Sequence, residues 1–224
     1  FFFKQKTAYE IKECDWSSDV CSSDLSYLGY SYGTLLGALY AQTYPRHVRA
    51  MVLDGAVDPS VPPDQSLIEQ AQGFDEGLAR FLRWCDTNRT CAFSGVDEGG
   101  TAARYERVRA DVDAHPRTVG GRRFGPTQLD LAVGAALYSG RDAYPLLADS
   151  LAALDAGRPG QLLDLADSYV GRSGDGHYDR SWGAFLAVSC LDGPPLGGPE
   201  ALAARETPNG REPLAKIAFR DRMA

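Results

Sequence analysis

The order of apolar and polar positions after Leu25 predicts two short strands joined by a helix. Ser26–Tyr30 has the aromatic and apolar content of a short buried strand, and Val48–Leu53 repeats this character before an Asp-Gly turn. Between the strands, Thr34–Tyr44 has a helical pattern that ends at Pro45. A strand, a helix and a second strand in close succession predict a parallel βαβ unit and therefore an α/β fold.

From Ser60 to about Ser181 the pattern becomes helical throughout. Apolar residues recur near helical spacing, and Gly, Pro or polar turn residues bound each segment. The predicted helices are Gln65–Asp86, Gly100–Ala114, Thr127–Tyr138, Ala143–Ala156, Gln161–Val170 and Arg180–Cys190. We interpret their apolar stripes as core and not as ligand contacts. The pattern predicts a core segment at 26–59 followed by this helical block.

Composition limits the classes of protein without selecting one. The chain has 224 residues, of which 44% are hydrophobic and 24% are charged, as in an ordinary globular protein. Its net charge of -7 argues against nucleic acid as a partner. No apolar run reaches the roughly 18 residues that a transmembrane helix requires, so the sequence predicts no membrane span.

The first 25 residues differ from the rest in their basic residues. Three of the four lysines lie there, whereas every arginine lies further along the chain. Phe3–Ile11 and Asp15–Leu25 resemble, in order and in frame, the translation of the two ends of a sequencing-library adapter. The segment also lacks the basic and then apolar layout of a signal peptide. We therefore expect residues 1–25 to form no natural domain and no defined packing, and we assign them no functional role.

A G-x-S-x-G motif, Gly29-Tyr30-Ser31-Tyr32-Gly33, stands between the first strand and the helix. A strand-to-helix turn sharp enough to expose a serine leaves no room for side chains two positions to either side. Such a turn holds the serine strained and directs the next amide toward the same space. The motif predicts Ser31 as a catalytic nucleophile and the backbone N–H of Tyr32 as an oxyanion-hole donor. The alternative is a structural Gly/Ser turn in another α/β protein.

Residues 29–59, GYSYGTLLGALYAQTYPRHVRAMVLDGAVDP, resemble the nucleophile region of the α/β-hydrolase fold. Within that fold they are most similar to the tripeptidyl-aminopeptidase-like and prolyl-aminopeptidase-like serine exopeptidases of actinobacteria. Ala187–Asp192, AVSCLD, resembles the segment that ends the lid of that family. The resemblance implies a partial α/β-hydrolase core at 26–59, an inserted, mostly helical cap at 60–192 that covers Ser31, and a return to the core at 193–224.

The resemblance also implies where the remaining catalytic groups belong. In this fold the order along the chain is serine, acid and histidine, and the acid and histidine follow the cap. The strands whose loop gives the second oxyanion donor come before the nucleophile. We therefore expect the chain to be an internal segment of a longer enzyme, inactive as given, with the triad acid and histidine outside it.

Other chemically reactive residues show weaker patterns. His47, His115 and His177 are isolated, so the sequence predicts no metal site. His177 lies in GDGHYD, which resembles the end motif of the family, but it precedes the lid end and is also explained as a loop histidine. Asp54 and Asp58 follow the second strand, where a minority of hydrolases place the acid, although turn formation explains both.

Cys85 and Cys91 are close enough in sequence for a disulfide, which would suit an exported protein. The alternative is a pair of buried free thiols. Cys14 and Cys21 fall within residues 1–25, which leaves Cys190 as the odd cysteine.

By resemblance, the protein is expected to be a secreted or envelope-associated aminopeptidase that acts on peptides through an acyl-enzyme on Ser31, without a cofactor. Acidic residues of the cap are expected to hold the substrate ammonium group, but the sequence does not identify them. Two alternatives stay open. One is an esterase or lipase on the same fold, because elbow chemistry does not distinguish an ester from an amide. The other is a non-catalytic binding protein with a capped hydrolase fold.

Overall fold

The structure, a computed structural model, describes residues 25–95 and 98–191. The described residues divide into two compact units, 25–66 and 67–191. The predictions for residues 1–24 and 193–224 therefore lie outside the described residues. Leu25, the last residue of the segment 1–25, is described and pairs with Val48, so the expectation of no defined packing is wrong for that residue. The division falls within the first turns of a long helix, whereas the sequence places the boundary between core segment and helical block at residues 59 and 60.

The first unit is a βαβ arrangement with strand β1 at Leu25–Tyr30, helix α1 at Tyr32–Thr43 and strand β2 at Val48–Asp54. A short 3-10 turn, Pro45–His47, separates α1 from β2. The two strands pair in parallel, and a parallel pair needs a long crossover, which α1 supplies. The unit matches the predicted βαβ pattern, with strand ends shifted by one residue and the start of the helix by two.

The two faces of this small sheet have different environments. Side chains alternate along each strand, so Tyr27, Gly29 and Leu53 share the face that α1 covers. The opposite face carries Leu28 and Val52, which are paired neighbours and remain 52% and 60% exposed. The sequence predicts both strands as buried. Within the described residues that prediction is wrong for half of each strand, because α1 covers one face only.

The second unit is mostly helical. Its helices are α2 (Pro63–Thr87, whose first turn lies in the first unit), α3 (Gly100–Ala114), α4 (Pro126–Tyr138), α5 (Tyr144–Asp155), α6 (Gly160–Tyr169) and α7 (Arg180–Leu191). All six predicted helices are present, with ends that differ by at most two residues. Helix α4 packs most extensively against α6. The fully buried core residues include Phe81, Phe93, Tyr105, Phe124, Leu129, Leu147, Leu151, Leu154 and Leu162.

A β-hairpin that the sequence pattern does not predict interrupts the helices. Strands β3 (Arg117–Val119) and β4 (Arg122–Phe124) pair in antiparallel register. The two linking residues, Gly120 and Gly121, have φ values of 55° and 78°, as a tight hairpin turn of this kind requires. Strands of three residues are too short to show alternation, so the Gly-Gly pair was the one available signal.

One carboxylate attaches this hairpin to α6. Both terminal nitrogens of the Arg122 guanidinium donate to Asp167, and Arg172 donates to the same carboxylate at 3.3 Å. The bond to Asp167 is also the main cause that raises the pKa of Arg122. Since a two-pronged pairing fixes both position and orientation, the hairpin is held at a definite place on the helical core.

A disulfide joins Cys85, in the last turn of α2, to Cys91, with their Cα atoms 5.1 Å apart. Both residues are almost fully buried. The intervening turn is ordered by Asn88, whose side-chain oxygen accepts the Thr90 N–H at 3.0 Å. The side chain of the odd cysteine, Cys190, lies outside the described residues.

Among residues 25–95 and 98–191, no helix is both long enough and apolar enough to cross a bilayer. The same residues contain no cluster of three or more histidine, cysteine or acidic side chains able to hold a metal ion.

We predict that peptide mapping of oxidised protein without reductant will recover Cys85 and Cys91 in one linked peptide. Replacing both by alanine should lower the free energy of unfolding by roughly 2 kcal/mol, because the unfolded chain loses a short covalent loop. Two alkylatable thiols at these positions in unreduced protein would contradict the prediction.

Candidate functional site

Ser31 is the single residue between β1 and α1, and its backbone is unusual. Its φ is 49° and its ψ is -119°. Of the described residues it is the one non-glycine with a positive φ. Such a conformation costs roughly 1–3 kcal/mol and persists only where the surrounding structure imposes it. The turn therefore has the strained geometry that the sequence predicts for a nucleophile.

The side chain of Ser31 is exposed, and the α-helix does not use it. Serine at this position normally accepts a hydrogen bond from the first turn of the helix. Here Ser31 is the N-cap of α1 but makes no side-chain capping bond. Its hydroxyl is thus presented to solvent beside the helix N-terminus.

Backbone hydrogen bonds hold Ser31 from both sides. Its N–H donates to the carbonyl of Asp54 at 3.0 Å, which continues the β1–β2 pairing one residue beyond β1. Its own carbonyl accepts the N–H of Thr34 at 2.8 Å. The strained residue is therefore anchored to the end of β2 on one side and to the first turn of α1 on the other.

The two motif glycines are not equivalent. A Cβ at Gly29 would lie 2.6 Å from the carbonyl oxygen of Gly33, closer than real atoms approach. A Cβ at Gly33 would meet only the Tyr27 hydroxyl, at an ordinary 3.5 Å. The expectation that neither position has room for a side chain is thus right for Gly29 and wrong for Gly33. The difference arises because the helix backbone passes close to β1 at Gly29.

Tyr27 lies at this close contact between β1 and α1 and also forms a hydrogen bond there. Its hydroxyl donates to the Gly33 carbonyl at 2.6 Å, and burial raises the pKa of the phenol. Its ring would lie 2.7 Å from a Cβ at Gly37, so a larger residue there would force the ring to move. The sequence does not mark Tyr27 as part of the site, because no motif indicates a contact between a strand and the following helix.

Tyr32 is the first residue of α1, so its amide lies at the positive end of the helix dipole and next to Ser31. This is the location that the oxyanion-hole prediction requires. The role of the Tyr32 N–H as a donor stays a prediction.

The acidic candidates follow β2. The carboxylate of Asp58 accepts both the N–H and the hydroxyl of Ser60, at 2.8 and 2.7 Å, and these bonds lower its pKa. This is the arrangement of a turn-forming aspartate. Asp54 ends β2 opposite Tyr30, on the face that α1 does not cover, and its main-chain oxygen accepts the Ser31 N–H.

The described residues do not bring a histidine to Ser31 within the first unit. His47 follows the far end of α1, a helix about 18 Å long, and its ring lies 6.3 Å from that of Tyr44.

In the second unit, His115 contacts Asp111 at 3.2 Å on the surface. His177 is exposed in a turn, where its N–H donates to Asp175 and its carbonyl accepts the Ser173 hydroxyl. That setting is what the loop interpretation of His177 predicts.

Comparison with known families assigns this geometry to a fold. A family model described as the alpha/beta hydrolase fold matches residues 23–148, more than half of the chain. The match covers the βαβ unit with Ser31 and continues through α2, α3 and α4 into α5.

Three relatives indicate the range of named activities. The serine protease Hip1 of Mycobacterium tuberculosis is 37% identical over 179 residues, which cover 77% of this chain and 34% of that protein. Carboxylesterase B of the same organism is 37% identical over 168 residues, 74% of this chain and 32% of the relative. Tripeptidyl aminopeptidase of Streptomyces lividans is 29% identical over 178 residues, 75% and 31% respectively. The chain spans about a third of the length of the curated relatives it matches.

We predict that Gly29→Ala destabilises the full-length protein by about 1–3 kcal/mol, because the new methyl group meets the Gly33 carbonyl. Gly33→Ala is the matched control and should change the free energy of unfolding by less than about 0.5 kcal/mol. Urea unfolding of both variants measures the difference, and equal losses would contradict the steric argument.

A second prediction concerns the strain at Ser31. Ser31→Gly should unfold with a higher free energy than Ser31→Ala, by roughly 1 kcal/mol, since glycine adopts a positive φ without steric cost. Both variants lack the hydroxyl, so the comparison isolates the backbone. Equal stability of the two variants would show that Ser31 is not strained.

Proposed function

The chain belongs to the α/β-hydrolase fold family, and from this membership we propose that the protein is a serine hydrolase with Ser31 as its nucleophile. Its preferred substrates are peptides with a free N-terminus, from which it releases short peptides or single residues. The observation that carries the proposal is the backbone of Ser31, which is strained at φ 49° and leaves the hydroxyl exposed and uncapped.

The geometry supports covalent chemistry at a carbonyl carbon. Attack by the Ser31 oxygen would give a tetrahedral intermediate, which collapses to an acyl-enzyme as the amine leaves and is then hydrolysed by water. The negative charge on the carbonyl oxygen would develop beside the N-terminus of α1, where the helix dipole stabilises an anion. The Tyr32 N–H is the proposed donor to that oxygen.

The proposal needs a histidine that takes the serine proton and gives it to the leaving amine, and an acid that orients the histidine. We assign neither role to a residue of this chain. His47 is the one histidine of residues 25–66, and it lies beyond the end of α1 that is remote from Ser31.

The choice between peptide and ester substrates rests on the relatives. A serine protease and a tripeptidyl aminopeptidase favour peptide cleavage. A carboxylesterase with the same 37% identity as the protease makes ester hydrolysis the second candidate. We also propose that the protein is exported, which the disulfide between Cys85 and Cys91 supports, since disulfides persist in oxidising compartments.

To test the nucleophile, the full-length protein is treated with a fluorophosphonate probe, and the labelled peptide is identified by mass spectrometry. We expect the label on Ser31, and we expect Ser31→Ala to abolish it and to lower turnover by about four to six orders of magnitude. Ser60→Ala is the matched control, because Ser60 is an exposed serine of the same unit whose hydroxyl bonds only to Asp58.

Substrate class is tested on the same protein by comparing two chromogenic reactions. The compared quantity is kcat/KM divided by the uncatalysed rate of the same substrate. It should be higher for release of nitroaniline from tripeptide nitroanilides than for release of nitrophenol from short acyl esters. The opposite order would replace the aminopeptidase by an esterase. A full-length protein that neither takes the label nor turns over either substrate would instead support a non-catalytic binding protein.

A further inference from the structure

Thr34 is a polar residue in the first turn of α1, and it is completely buried beside the proposed nucleophile. A buried hydroxyl is costly unless it forms hydrogen bonds, so its partners show what holds it there. The G-x-S-x-G pattern ends one residue before Thr34, and the proposed function gives it no role.

The hydroxyl of Thr34 joins two stretches of backbone. As a donor, it lies 2.5 Å from the carbonyl oxygen of Ser31. As an acceptor, it lies 2.8 Å from the N–H of Val57, in the loop after β2. The carbonyl of Gly55 is 3.5 Å away, too far to compete for the single hydroxyl proton.

The Ser31 carbonyl therefore has two donors from one residue, since the Thr34 N–H also reaches it at 2.8 Å. Both of its lone-pair directions are used. This carbonyl belongs to the same peptide unit as the Tyr32 N–H. Because a trans peptide unit is planar, with its C=O and N–H pointing in opposite directions, fixing the carbonyl also fixes the direction of the N–H.

We propose that Thr34 is a positioning residue for catalysis: its hydroxyl clamps the Ser31–Tyr32 peptide unit and thereby aims the Tyr32 N–H at the oxyanion. The proposal rests on the proposed function of Ser31 and extends it to a residue outside the motif. The bond to Val57 gives the clamp a fixed support, because it connects the first turn of α1 to the loop that follows β2.

The loop lies directly against the nucleophile turn. Gly55 has a φ of 69°, and a Cβ placed there would come within 3.7 Å of the Ser31 nitrogen. With the Ser31–Asp54 bond on one side and the Thr34–Val57 bond on the other, displacement of the loop would also displace the peptide unit that carries the oxyanion donor.

The test uses three variants of the full-length protein. Thr34→Val keeps the shape of the side chain and removes the hydroxyl, whereas Thr34→Ser keeps the hydroxyl and removes a methyl group. Thr43→Val is the matched control, because Thr43 is an exposed residue of the same helix whose hydroxyl bonds only to the Leu39 carbonyl. For each we would measure the rate of fluorophosphonate labelling, kcat and KM, the free energy of unfolding, and hydrogen exchange of the Val57 amide.

We expect Thr34→Val to lower kcat and the labelling rate roughly tenfold to a hundredfold, as a small misplacement of a catalytic group does. KM should change by less than about twofold, because a donor that acts mainly in the transition state contributes little to ground-state binding. Thr34→Ser should recover most of the rate, and Thr43→Val should behave as the wild type. The Val57 amide should exchange faster in Thr34→Val but not in Thr34→Ser.

Several results would overturn the proposal. Equal losses in Thr34→Val and Thr34→Ser would show that Thr34 acts only through packing. Wild-type labelling and turnover in Thr34→Val would show that the hydroxyl does not position the Ser31–Tyr32 peptide unit. Val57 exchange that does not respond to removal of the hydroxyl would contradict the proposal in the same way. A wild-type protein that takes no label at Ser31 would overturn the proposed function and the catalytic role of Thr34 together, while Val57 exchange would still decide whether the hydroxyl holds the loop.

Discussion

The hydrogen bond from the Ser31 N–H to the Asp54 carbonyl is the contact on which the site depends. It extends the parallel pairing of β1 and β2 past the end of β1, so the chain must leave the sheet and enter α1 within one residue. That abrupt change of direction requires the positive φ of Ser31 and brings the backbone of α1 against Gly29. The exposed hydroxyl, the glycine requirement and the buried Thr34 all follow from this one constraint.

The sequence predicts the parts of this arrangement that local chemistry determines. The βαβ order and the helices of the second unit were predictable because apolar periodicity and turn residues act over a few positions. The strained turn at Ser31 was predictable because its motif encodes a backbone shape, while the role of Ser31 as nucleophile stays a proposal. The contacts of Thr34 with Val57 and of Tyr27 with Gly33 were not predictable, since they join residues that only the folded topology brings together. The β3–β4 hairpin was missed for a related reason: its strands are too short to show a period.

The two units maintain their structures by different means. In the first, main-chain hydrogen bonds and close contact between a helix and a strand fix a strained turn. In the second, an apolar core is reinforced by the Cys85–Cys91 disulfide and by the two arginines that share Asp167. A core of large apolar side chains tolerates substitutions of similar volume. Both units nevertheless have positions where a single methyl group does not fit, such as Gly29 in the first and Gly95 in the second.

The exposed face of the β1–β2 pair affects how the stability of the first unit varies with temperature. The heat-capacity change of unfolding arises mainly from apolar surface that water reaches only after the chain unfolds. Leu28 and Val52 already contact water over more than half of their surface in the folded state, so they contribute little to that change. In this chain each of the two side chains therefore adds less to the heat-capacity change of unfolding than a buried residue of the same size would.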